Sequence, residues 1–151
     1  MYRAGFWIGL GLGLLVGVGF AQAESSSPVG YWETIDDDGV TPTSIVQIYR
    51  DGDALSGRIV KILRKDAPPD AVCEACRGEL KDKPVVGLRI IWGMKEDGDE
   101  WEGGHILDPD SGKDYKCTMV VEGDNLKVRG FLGFSLLGRT QIWRRAQAPK
   151  D

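Results

Sequence analysis

From residue 30 onward, apolar and polar positions alternate in short runs, and most runs end in a cluster of Asp, Asn, Glu, Gly or Ser. A two-residue period places successive side chains on opposite faces of a strand. Tyr31 to Ile35 is the first such run and Ser44 to Tyr49 the second. Arg50-Asp51-Gly52-Asp53 follows as a hairpin turn, with an Asp-Gly pair that tolerates positive φ. Leu55 to Leu63 continues as a third strand, with Leu55, Gly57, Ile59 and Leu63 expected on one face. Pro84 to Trp92 gives a fourth, with Val86, Leu88, Ile90 and Trp92 together. Glu100 to Leu107, Asp114 to Val121, Leu126 to Phe131 and Arg139 to Arg145 complete the series. Arg64 to Lys83, with Pro68-Pro69 and two cysteines, is the one long connection, and long ordered loops in compact domains tend to be lids or functional. Eight strands in meander order, with no amphipathic helix of ordinary length, predict an all-β fold: an eight-stranded antiparallel up-and-down barrel. Closure removes the edges that an open sheet must protect.

Residues 1–23 lie outside that pattern. Arg3 precedes a nearly continuous apolar run through Phe20, then the small-x-small triplet Ala21-Gln22-Ala23. The order predicts a signal peptide over 1–23 and a single barrel domain over 24–151, in a periplasmic or secreted protein. A retained membrane anchor is the competing reading; the polar stretch Glu24 to Pro28 directly after the triplet favours cleavage. The glycines at 9, 11, 13, 17 and 19 lack the preceding strand and following helix of a dinucleotide fingerprint.

Charge narrows the function classes. The chain of 151 residues carries 19 Lys+Arg and 23 Asp+Glu. Loss of Arg3 with the leader takes the net charge from −4 to about −5. An acidic domain with no basic stretch interleaved with aromatics is a poor nucleic-acid binder. Glycine, at 21 positions, recurs inside the strand-like runs, as bent strands of a small barrel require.

Gly30-Tyr31-Trp32, Ser44-Ile45-Val46, Cys73-x-x-Cys76, Pro84 to Leu88, Gly104 to Pro109, Gly112-Lys113-x-Tyr115, Leu126 to Gly130 and Leu137 to Trp143 together resemble the secreted bacterial domain-of-unknown-function 2147 family. The likeness runs over nearly the whole chain after the leader. It implies a calycin-like (lipocalin-like) barrel and no particular activity; His105 stands where that family is expected to carry a lysine or another polar residue. Small ligand-binding barrels of this kind place a tryptophan such as Trp32 at the barrel floor, under an arginine of the last strand. Arg144 and Arg145 are the two candidates here.

Cys73-Glu74-Ala75-Cys76 is the strongest local chemistry. In an oxidising compartment the pair is expected as a disulfide, and Glu74 and Glu79 oppose the thiolate that a redox dithiol needs. Cys117 alternates with Tyr115, Met119 and Val121 and is expected to be a buried thiol, the alternative being a bridge from one loop cysteine to Cys117. A Cys3His zinc site with His105 lacks knuckle spacing. Asp108 to Asp114 lacks the glutamate of a calcium loop and is explained as a turn. No metal or cofactor is expected.

On the last strand Arg139, Gln141, Trp143 and Arg145 share a face that is odd for a packed core and suits a barrel interior holding a ligand with a polar or anionic end. The competing reading turns that face to solvent, and Arg129 is open to the same choice. Phe131 to Gly138 offers two phenylalanines and three leucines without a charge, as a plug or as a contact for a membrane, partner or ligand. The expected ligand-binding residues are therefore Trp32, Arg129, Phe134, Leu136, Arg139, Gln141 and Trp143. The leading expectation is an exported protein binding a small apolar or amphiphilic molecule. An enzyme using His105, Arg129 or Asp108 in the same pocket, and an envelope structural protein with a self-filled barrel, are the alternatives.

Overall fold

The computed structural model describes residues 27–133 and 137–150, so the expected leader lies outside the described residues. The eight strands are β1 (Gly30–Ile35), β2 (Pro42–Asp51), β3 (Ala54–Ile62), β4 (Arg89–Asp97), β5 (Glu100–Asp108), β6 (Lys113–Glu122), β7 (Asn125–Phe131) and β8 (Gly138–Ala146). Each pairs antiparallel with the next, and β8 returns to β1, closing an up-and-down barrel. Among the described residues the helical content is a single 3-10 turn, Gly78–Leu80.

The two barrel ends differ. At one end the strands are joined by the tight β2–β3, β4–β5 and β6–β7 turns, and the interior is packed solid. Trp32, Ile48, Leu55, Met94, Met119 and Leu126 are all at most 1% exposed there. Burying each such side chain stabilises the fold by roughly 1.5–3 kcal/mol relative to exposure. At the other end lie the β1–β2 loop, the long β3–β4 connection, the β5–β6 turn and the β7–β8 connection.

Two expected strand faces are corrected. In β3 the register against β2 shifts so that Ile45 pairs with Lys61 but Val46 pairs with Ile59. The extra residue, Val60, is a bulge, which reverses the parity beyond it. Ile62, not Leu63, therefore joins Ile59 on the interior wall. The fourth strand begins at Arg89 and runs on to Asp97, beyond the expected end at Trp92. Pro84 to Leu88 belongs to the long connection: the amides of Val85 and Gly87 donate to the carbonyls of Ala71 and Ile59, and the Leu88 carbonyl accepts from Ile59. Val86 is consequently 40% exposed. A second irregularity, where Gly57 pairs with Ile91 but Arg58 with Arg89, leaves both Ile90 and Ile91 buried. Trp92 then falls on the outer wall, with Arg89 5.9 Å from its ring centroid and His105 stacked at 5.6 Å.

Gly112 explains how the long connection is seated. The left-handed backbone of this residue, φ 69°, sits in the β5–β6 turn, and a Cβ there would lie 1.9 Å from the Ala75 carbonyl oxygen. The Cys73–Cys76 segment thus rests directly on a position only glycine fills. Cys73 Sγ lies 3.5 Å from the Pro109 carbonyl, and Arg64 pairs with Asp110 at 2.9 Å.

Candidate functional site

The open end leads into a cavity of about 690 Å³, within the range of small-molecule sites. Its apolar wall is built by Ile59, Ile62, Ile90, Ile106, Val128 and Trp143, with Ala71, Val72 and Val85 of the long connection across the top. Opposite these runs a polar strip. Thr34 Oγ1 is 2.6 Å from Thr43 Oγ1 and 2.7 Å from Ser44 Oγ, and all three residues line the cavity. Trp143 Nε1 donates to Gln141 Oε1 at 3.0 Å, and Gln141 Nε2 donates to Asp37 Oδ1 at 3.2 Å. Arg139 donates to the other Asp37 oxygen at 2.8 Å. The strip thus carries polar atoms from a buried indole to a charged rim.

Strand parity sorts the expected binding residues. Arg139, Gln141 and Trp143 line the cavity. Arg129 does not: Leu126, Val128 and Gly130 take the interior face of β7, and the Arg129 guanidinium donates to Thr140 Oγ1 at 3.1 Å on the outer wall. Trp32 is not part of the cavity wall either. It is fully buried in the packed floor, where its indole donates to the Pro28 carbonyl at 2.7 Å and Arg145 covers the ring at 3.9 Å from its centroid. Arg145 rather than Arg144 is the covering residue; Arg144 faces outward, 3.8 Å from Glu33. Phe134 and Leu136 lie outside the described residues. Their neighbours Leu132 and Leu137 line the mouth at 59% and 70% exposure.

The side chains considered for catalysis are not assembled in one place. His105 is on the outer wall, its Nδ1 3.3 Å from Asp114 Oδ2 without hydrogen-bond alignment. Asp108 reaches the mouth, but its two oxygens accept from the Asp110 amide and the Ser111 hydroxyl and so hold the turn. Sequence reasoning overlooked the Thr34–Thr43–Ser44 hydroxyls and Ile62. A bulge where Thr34 pairs with Ser44 but Ile35 with Pro42 brings Thr43 inward, and strict alternation carries no signal for it. Tyr115, also in the wall, was legible from its alternation with Cys117 and Met119.

Cys73 and Cys76 form a disulfide, which removes two thiolates from any zinc site with Cys117. Such bridges persist in oxidising environments. Cys117 is free and buried, and desolvation pushes its thiol up to about 12. Because the folded chain holds this proton above the unfolded thiol's range, Cys117 contributes a loss of stability as pH rises from about 9 towards 12. Treatment with iodoacetamide at pH 8 without reductant is expected to leave all three cysteines unmodified in the native protein and to label Cys117 alone after unfolding. Recovery of alkylated Cys73 and Cys76 would contradict the bridge.

A closed eight-stranded barrel, packed at one end and hollow at the other, defines the calycin or lipocalin-like class of architecture. The profile of a bacterial family described as "Uncharacterized protein conserved in bacteria (DUF2147)" matches residues 30–145, and the chain belongs to that family. Its fold is similar to that of protein HP1028 from Helicobacter pylori, described as belonging to the lipocalin family. The two structures share a TM-score of 0.71 at 13% identity, over 82% of this chain and 85% of that one. No curated protein matches this sequence.

Proposed function

We propose that this protein is an exported carrier or receptor that holds one small apolar or amphiphilic molecule in the barrel cavity. The observation that carries the reading is the cavity itself. A barrel of eight strands is just wide enough for its own side chains to fill, and in this one the packed half stops below Trp143. Above that level the wall is apolar on one side and hydroxyl- and amide-lined on the other, as an amphiphile requires. The Cys73–Cys76 disulfide and the apolar leader both support action in the periplasm or outside the cell.

Titration with N-phenyl-1-naphthylamine, a neutral apolar dye, tests the reading. Saturable fluorescence enhancement is expected at one site per chain. The substitution Ile106→Trp, which fills the hollow from the β5 wall, is expected to weaken dye binding by at least about tenfold while leaving the β-sheet circular dichroism intact. Equal dye binding by the folded Ile106→Trp protein would place the dye elsewhere and remove the support for the cavity.

A further inference from the structure

The barrel is not zipped along its whole length. β1 pairs with β8 through three residues only, Tyr31, Glu33 and Trp32 between them, against Ala146, Arg144 and Arg145. Above Glu33 the two strands part, although β1 runs on to Ile35 and β8 back to Gly138. A hollow of about 390 Å³ opens at this seam, and it shares Ile35, Asp36, Asp37, Arg139 and Gln141 with the main cavity. Side chains, not backbone ladder bonds, bridge the gap: Asp37 from the β1 side accepts from both Arg139 and Gln141 of β8.

The charge around this opening has a definite sign. The residues lining the main cavity include four carboxylates, Asp36, Asp37, Asp108 and Asp110, and two cations, Arg64 and Arg139. Arg64 is paired with Asp110 and Arg139 with Asp37. Asp36 and Asp108 are left with turn amides and a hydroxyl as partners. The net charge of the lining, four carboxylates against two guanidinium groups, is therefore −2. A carboxylate head arriving at the seam meets an arginine already neutralised and one further negative charge, Asp36, with Asp108 across the mouth, whereas an ammonium meets an attractive field.

Resting on the carrier reading above, we infer that the polar end of the bound amphiphile sits in the β1–β8 seam against Asp37, Arg139 and Gln141, and that this end is cationic or neutral, an amine or a hydroxyl, not a carboxylate. The seam offers what such a head needs: a carboxylate acceptor, an amide and unpaired strand edges beside an apolar cavity. The opposite expectation, an anionic end matched to the arginine of β8, fails on the presence of Asp37.

Displacement of N-phenyl-1-naphthylamine by three ligands of equal chain length tests the inference. Dodecylamine and dodecanol are expected to displace the dye at concentrations at least about tenfold below dodecanoate at pH 7 and low salt. The amine's advantage should shrink at 0.5 M salt, because the mouth is exposed and screened. Asp37→Asn keeps an oxygen acceptor for Arg139 and Gln141 while removing one negative charge. It should narrow the amine-to-carboxylate ratio more than Asp110→Asn, which removes the same charge across the mouth. Dodecanoate binding as tightly as dodecylamine would overturn the head-group assignment, and equal effects of the two Asp→Asn variants would overturn the seam placement. Dye binding that no dodecyl compound displaces, dodecanol included, would instead sink the amphiphile-carrier reading, and this inference with it.

Discussion

Replacing Trp32 by alanine is expected to lower the unfolding free energy by about 3–5 kcal/mol, the range for truncating a buried tryptophan. Three separate losses converge. The indole is fully buried among Ile48, Leu55 and the other floor residues, so truncation leaves a cavity that a closed barrel cannot collapse. Removing the indole strands the Pro28 carbonyl, its acceptor at 2.7 Å. Arg145 loses the ring it covers at 3.9 Å, a contact of about 0.5–2 kcal/mol. Arg145→Ala should therefore cost less than Trp32→Ala, since it forfeits the stacking and the 3.3 Å bond to the Val29 carbonyl but opens no cavity. Urea titration followed by tryptophan fluorescence and circular dichroism reads both. A Trp32→Ala protein with an unchanged urea midpoint would show that the packed floor does not hold the barrel together.

Gly104→Ala is expected to destabilise by about 3 kcal/mol, the upper part of the range for overpacking. At this position in β5 an added Cβ would sit 2.3 Å from the Trp92 carbonyl oxygen, 2.5 Å from Met94 Sδ and 2.8 Å from the Gly93 carbonyl carbon. Two of those three atoms are backbone and can move only if β4 moves with them. Gly130 provides the contrast. A Cβ there meets Ile106 Cγ2 at 3.4 Å and Tyr115 Cβ at 3.5 Å, ordinary contact distances beside the hollow. Gly130→Ala should change stability by less than about 1 kcal/mol. Thermal melts of the two variants side by side decide the matter; similar melting temperatures would mean that β4 and β5 are not pressed together as described.

The eight strands and their meander order were legible because turn chemistry and alternation agree along most of the chain. Asp51–Ala54, Asp97–Glu100 and Glu122–Asn125 each join strands where a polar, glycine-containing turn interrupts an apolar alternation. What alternation could not supply is parity across a bulge. Val60 reverses the end of β3, the irregularity at Ile90 buries two consecutive residues of β4, and Thr43 turns inward beside Thr34. The apolar run Pro84 to Leu88 looked like a strand because its composition is that of one, yet its hydrogen bonds go to Ala71 and Ile59. In β8 the pattern was sufficient: Arg139, Gln141 and Trp143 share the cavity face as alternation requires. In β7 the same rule applied to Leu126 and Val128 would have placed Arg129 outside. The partner that neutralises Arg139, Asp37, lies 102 residues away in sequence and comes into reach only when the barrel closes.

The most direct test of the account is native mass spectrometry of the protein purified from its own host without detergent. A species heavier than the polypeptide by the mass of one small molecule is expected, released on denaturation and absent from the Ile106→Trp variant prepared in the same way. A host-purified protein with the mass of the polypeptide alone, whose cavity also takes up no N-phenyl-1-naphthylamine, would contradict it.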